Sequence, residues 1–167
     1  MLVREMGWND DLPEKLLANL ALLNQAGRRC PADRIVEEYN RLFVGLGSGE
    51  LVPYASWYLE KMVQSAPLAA IRSDLNRLGI VRQAGSFESE DHAGALCEIM
   101  ALLSAAENEV SDQEQADFFE RHIASWLPQF FMDLGSVDNA AFYPTVGAFG
   151  SAFLETERDY LQNRLTV

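Results

Sequence analysis

His92 and His122 are the only histidines in the chain, and His92 follows Glu88, Glu90 and Asp91. An imidazole beside carboxylates is material for general acid–base work, and two imidazoles with a carboxylate can hold a metal. Asp91, His92 and His122 would then serve a metal-assisted hydrolase. The spacing favours other uses. Zinc sites draw three or four ligands from recognisable spacings, usually several His or Cys. Neighbours such as Asp91 and His92 diverge by about 100° on a helix, which suits surface display better than chelation. Cys30 and Cys97 form neither a disulfide framework nor a C-x-x-C motif. No G-x-S-x-G elbow supports a serine nucleophile. Gly45, Gly47 and Gly49 lack the lysine and spacing of a phosphate loop. No cofactor, metal or catalytic residue is expected.

A second concentration of chemistry is aromatic. Pro53, Tyr54, Ser56, Trp57, Tyr58 and Leu59 fall within seven residues. Aromatics at helical spacing usually pack inside. Tyr54, Trp57 and Tyr58 nevertheless cover more than one helix face, because steps of three and four share a face and a step of one does not. The block reads either as core or as the wall of a groove.

The charge is the third feature. The chain has 13 Lys and Arg against 25 Asp and Glu, a net of −12. Residues 83–157 hold 14 acidic residues and one arginine, Arg121, and so carry the whole excess. Such a balance excludes nucleic acid and anionic lipid as partners. It reads as a solvated face that aids solubility, or as a field that draws in a cationic partner and speeds encounter. No uncharged run reaches the roughly 20 apolar residues of a membrane span. The opening residues show no basic flank followed by an apolar stretch, so no secretory leader is expected.

The elements that must position these residues read as helices throughout. At 167 residues and 49% apolar content, one domain with an ordinary core is expected. Asp11 and Glu14 form a capping-box pattern before Leu16, Leu17, Leu20 and Leu23, with Gly27 as the stop. Pro31 opens a second helix with Ile35, Tyr39, Leu42 and Phe43 on its face, closed by the glycine loop. Pro53 starts a third segment over residues 54–65. Pro67 suits the first position of a fourth, which Gly79 ends. Ser89 is the expected N-cap of a fifth, with Ala93, Leu96, Met100 and Leu103 on one face. Asp91 then lies in its first turn, where the helix dipole favours a carboxylate by about 0.3–1 kcal/mol. Substituting Asp91 or His92 is accordingly expected to cost partner binding more than folding. Ser111 and Glu114 form a second capping box, followed by Phe119, Ile123, Trp126 and Leu127, with Pro128 as a break. Residues 139–165 read as one or two more helices around Pro144. No strand pair with period-2 alternation appears. The expected architecture is all-α, a single compact bundle of about eight helices over 1–167. A hinge near 80–88 would divide it into subdomains of about 1–82 and 89–167.

Five segments, in order, resemble the TorD/DmsD family of redox-enzyme maturation chaperones. Tyr39, Leu42 and Phe43 followed by Gly45 match its Y-x-x-L-F-x-G segment, and Pro53 to Leu59 its proline–aromatic–small–Ser block. Glu88, Asp91 and His92 resemble its E-P-x-D-H motif, with Ser89 in place of proline, which loosens the hinge before His92. Phe119, His122, Trp126, Pro128 and Phe130 resemble its F-x-x-H-x-x-x-W-x-P-x-F helix, and Phe142 and Tyr143 an aromatic pair that opens the last helix. The match runs over about residues 35–155, in a chain somewhat shorter than is typical.

The resemblance implies a cytoplasmic, all-helical chaperone, monomeric or dimeric, without enzymatic activity. Its implied partners are the twin-arginine signal peptide and the apo form of a molybdenum-cofactor oxidoreductase. Carried over by residue, the implied peptide site is Tyr54, Ser56, Trp57, Tyr58, Leu59, Glu88, Asp91 and His92. A cationic start followed by an apolar stretch fits the carboxylates and the aromatic block together, as a helix in a groove. The alternatives are the hydrolase and a non-catalytic acidic helical adaptor.

Overall fold

A computed structural model describes residues 12–45, 49–81, 88–105 and 110–166. These residues form eight α-helices: α1 (Glu14–Arg29), α2 (Ala32–Tyr39), α3 (Ala55–Glu60), α4 (Ala66–Arg77), α5 (Ala93–Ser104), α6 (Asp112–His122), α7 (Leu127–Gly135) and α8 (Tyr143–Arg164). The all-α reading holds. Among the described residues the only β pairing is an isolated antiparallel bridge between Tyr54 and His92. No described helix is long and apolar enough to cross a membrane.

The core follows the apolar faces. Ala93, Leu96, Met100 and Leu103 of α5 are all buried, as their spacing predicts. Phe118 and Phe119 of α6, Ile123 and Trp126 of the following turn, and Leu127, Phe130 and Leu134 of α7 complete its centre. Helix α8 is the spine: α7, α1, α6 and α2 all pack on it. Its closest approach is to α7 and needs glycine. A Cβ on Gly147 would lie 2.4 Å from Gly135 N and 2.6 Å from Phe131 O, and one on Gly150 2.5 Å from the Phe131 ring.

Several boundaries differ from those read in the sequence. Helix α1 has Pro13 as its N-cap and no side-chain cap, while Asp11 lies outside the described residues. Gly27 does not stop α1, which runs on to Arg29 with Cys30 as C-cap. Position 27 instead faces the Phe142 ring of the segment entering α8, so packing against a neighbour outweighs the glycine's weak helix propensity. Helix α2 continues as a π-helical turn, Asn40–Val44, that ends at Gly45 with φ 58°. The turn buries Leu42 completely and sets Phe43 edge-on to Tyr143 at 5.3 Å. The third segment is helical only to Glu60, and Lys61 and Gln64 take left-handed φ values of 57° and 56°. Pro67 lies one residue inside α4, which Ala66 opens after Ser65. The Ser111–Glu114 capping box forms as expected, and residues 143–164 make one helix. The expected hinge falls largely on residues outside those described.

Candidate functional site

The aromatic block and the acidic turn before α5 are brought together by the chain itself. Ala55 N–H donates to Asp91 O and Ala93 N–H donates to Pro53 O, both at 2.9 Å. These two bonds set Tyr54 opposite His92 and lay the start of α3 against the start of α5.

Asp91 locks this junction from inside. Its Oδ2 accepts from Ser56 Oγ at 2.5 Å and from Ser56 N at 3.2 Å, and its Oδ1 accepts from Ser89 Oγ at 2.6 Å. Asp91 is 1% exposed and Ser56 is fully buried. The expected Ser89 cap is therefore corrected: Ser89 is spent on Asp91, and Asp91 lies outside α5. The N-cap is His92, whose Nδ1 accepts from Gly94 N at 3.1 Å. A buried carboxylate needs several donors, and the tertiary contact supplies them across 35 residues of sequence.

Above this lock the side chains face outward. The Tyr54 hydroxyl donates to Glu88 Oε1 at 2.6 Å, and its ring meets the His92 ring edge-on at 5.1 Å. Burial, the bond to Glu88 and the charges of Glu88 and Asp91 push the Tyr54 phenol up to about 12. Glu88 is exposed and Tyr54 half-buried. Glu90 accepts from Arg72 of α4, through Nε at 3.0 Å and Nη2 at 2.9 Å. The three carboxylates read alike in the sequence thus take three roles: buried lock, ion pair, and exposed partner of a tyrosine.

Helix α3 divides the aromatics in a similar way. Trp57 is 38% exposed and Leu59 47% exposed. Tyr58 turns inward, its ring 5.4 Å from Trp126 and 6.0 Å from Phe130, and its hydroxyl donates to Asp133 Oδ2 at 2.8 Å. Burial, that bond and the Asp133 charge all raise the Tyr58 pKa. Core and surface readings both hold, at different positions of one block. Just after the block in sequence, Met62 and Val63 are exposed as well.

His122 stands elsewhere. Its Nε2 lies 2.7 Å from Asp74 Oδ2, with Arg121 donating to the same oxygen at 2.6 Å. Burial lowers the His122 pKa by more than the bond and charge of Asp74 raise it. Burial raises Asp74, yet His122 and Arg121 outweigh it and hold its carboxyl below the ordinary value. Among the described residues no three of His, Cys, Asp and Glu could share a metal ion. Asp91, His92 and His122 thus do not form the group the hydrolase requires, because Asp91 is committed to Ser56 and His122 to Asp74.

Some residues that shape the site have no local signature. Glu38 accepts from the backbone N–H groups of Ala141, Phe142 and Tyr143 at 2.8–3.2 Å, capping α8 from another helix. Burial raises its carboxyl, but those bonds and the Arg41 charge hold it below the usual range. Asp74, Arg72 and Asp133 likewise owe their roles to partners remote in sequence. The acidic face is also less bare than the composition implies. Arg158 pairs with Glu120, Arg77 with Glu114, Lys15 with Glu155 and Arg164 with Asp112.

A family model described as nitrate reductase delta subunit matches residues 9–132, ending within α7. A chaperone protein TorD of Vibrio cholerae is 25% identical over 149 residues, 83% of this chain and 68% of that protein. A TorD of Vibrio vulnificus is 26% identical over 164 residues, 92% of this chain and 76% of its own. A probable Tat proofreading chaperone DmsD of Haemophilus influenzae is 31% identical over 111 residues, 65% of this chain and 53% of its own. The chain thus spans between about half and three quarters of the length of these relatives.

Proposed function

The chain belongs to the nitrate reductase delta subunit family, with the TorD and DmsD chaperones, and from that membership we propose that it is a cytoplasmic maturation chaperone. It holds the twin-arginine signal or N-terminal tail of a molybdenum-cofactor oxidoreductase until the apoenzyme is ready for export. The observation that carries this reading is the junction of α3 and α5. There Glu88, exposed, accepts from the Tyr54 hydroxyl, the rings of Tyr54 and His92 meet edge-on, and α3 carries the exposed side chains Trp57 and Leu59 a few residues on. A carboxylate, cation-binding rings and exposed apolar side chains on two joined elements suit a peptide with a cationic and an apolar part.

The site residues divide accordingly. Tyr54, Glu88, His92, Trp57 and Leu59 touch the peptide. Ser56 and Asp91 hold the junction, and Tyr58 anchors α3 to α7. The apolar part supplies most of the affinity. Burying about 400 Å² at about 25 cal/mol/Å² yields roughly 10 kcal/mol before costs. Association and ordering of the peptide remove most of that. Exposed arginine–carboxylate pairs add about 0.2–1 kcal/mol each and chiefly set orientation and on-rate.

The test is calorimetric titration with the signal peptide of an oxidoreductase encoded beside this gene. Dissociation constants in the micromolar range are expected, with on-rates that fall as salt rises. Replacing both peptide arginines by glutamine is expected to remove that salt dependence. No binding at about 100 µM peptide, equivalent to less than about 5.5 kcal/mol, overturns the reading.

A further inference from the structure

Lys61 ends α3 in the left-handed region at φ 57°, a conformation that costs a non-glycine residue about 1–2 kcal/mol. The bend carries the side chain back over the helix it has just left. Its Nζ lies 5.5 Å from the centre of the Tyr58 ring and 6.0 Å from that of Trp57. No ion pair forms between Lys61 and a carboxylate among the described residues. The two rings therefore hold this ammonium by their π faces.

This pair of rings is suited to a cation. Trp57 is the strongest aromatic cation acceptor and is 38% exposed. The Tyr58 hydroxyl donates to the Asp133 carboxylate, which leaves its ring richer in electrons. A guanidinium stacks flat on aromatic faces and is more weakly hydrated than an ammonium, so it competes well for the same surface. Leu59, Met62 and Val63, close to the rings in sequence, are each about half exposed or more and leave apolar surface open on the same segment.

We propose that the exposed Trp57 ring, beside the inward-packed Tyr58, is a subsite for an arginine side chain of the bound peptide, and that Lys61 is an internal cation which fills it in the free protein and is displaced on binding. The proposal deepens the chaperone reading and rests on it for the source of the arginine. The subsite itself requires only a guanidinium.

The experiment has two arms. In the first, Lys61→Met, which keeps the stem and removes the charge, is titrated with the twin-arginine peptide and with a lysine-for-arginine version. Affinity for the arginine peptide is expected to rise about two- to five-fold, the worth of one exposed cation–π contact. The gain should be smaller for the lysine peptide and vanish in a Trp57→Leu background. An equal gain for both peptides, or one that survives Trp57→Leu, means simple charge repulsion and overturns the proposal. In the second arm the probe is N-acetyl-arginine amide, followed by the Trp57 indole N–H resonance. Stronger binding to Lys61→Met than to the wild type supports the subsite even if the signal peptide does not bind, in which case the chaperone reading alone falls. An indole signal indifferent to the probe in both proteins overturns the subsite, whatever the peptide does.

Discussion

Asp91→Ala is the substitution on which sequence and structure disagree most sharply. As a first-turn carboxylate on a helix surface, Asp91 would cost folding about 0.3–1 kcal/mol on removal. In the structure the side chain is 1% exposed and accepts three bonds, two of them from fully buried Ser56. Truncation leaves the Ser56 hydroxyl and N–H without an acceptor. Each orphaned buried donor costs about 1–3 kcal/mol. The half-buried Ser89 hydroxyl can turn to water and adds little. Removing the carboxylate also removes the cost of burying it, so the low end applies, about 2–3 kcal/mol in all. Asp91→Asn keeps an acceptor oxygen and should lose about 1 kcal/mol. Urea unfolding followed by circular dichroism measures both, as a shift in midpoint at constant slope. Peptide affinity of the folded Asp91→Asn protein should stay within about threefold of wild type, less than 1 kcal/mol, because the carboxylate acts through the junction. An unchanged unfolding midpoint for Asp91→Ala, together with a tenfold loss of affinity, would refute this reasoning and make Asp91 a direct contact.

Other substitutions separate surface from support. Trp57→Ala should weaken peptide binding while leaving the circular dichroism spectrum and unfolding midpoint nearly unchanged. Tyr58→Ala, which strips a ring from Trp126 and Phe130, should cost about 3 kcal/mol of stability. Equal stability losses in the two would contradict the division of the block. Acidification should destabilise the fold in two stages. Burial holds the His122 pKa below its ordinary 6.5, so the unfolded chain takes up the proton first. Stability is present at neutral pH and falls as pH drops below 6.5. Asp74, held below its ordinary 3.8, adds a further loss only in stronger acid. Melting temperatures of wild type and His122→Gln between about pH 7 and 5 test the first stage, and an unaltered slope in the variant would remove His122 as its source. Gly147→Ala forces a Cβ to within 2.4 Å of the α7 backbone and should cost at least about 1–3 kcal/mol. Gly27→Ala meets only the Phe142 ring at 3.7 Å and should stabilise by about 0.5–1 kcal/mol. Thermal unfolding that ranks these two variants the other way would deny the close α7–α8 crossing.

The amino-acid sequence by itself determined the features that depend on neighbours a few residues apart. The all-α class follows from apolar spacing of three and four. The buried face of α5 and the Ser111–Glu114 box are local patterns, and both appear where the spacing puts them. Phe119, Ile123, Trp126 and Leu127 are buried as read, but α6 ends at His122 and Pro128 sits in the first turn of α7 rather than breaking a helix that runs through Leu127. The aromatic block was legible as a unit, and its width over more than one helix face left the core and groove readings both open. Only the tertiary structure decided which ring does which. Tyr58 is inward because Asp133, 75 residues on, offers its hydroxyl an acceptor. Ser89 fails to cap α5, and His92 does so, because Asp91 is claimed by Ser56 35 residues away. His122 pairs with Asp74 at a separation of 48, and Glu38 caps α8 across more than 100 residues. A buried charge takes whatever donors the fold delivers, and the burial penalty makes that choice strong. Periodicity records which face of an element is apolar. It carries no information on which distant polar group will meet a given carboxylate, because that meeting is fixed by helix crossings such as that of Gly147 on Gly135.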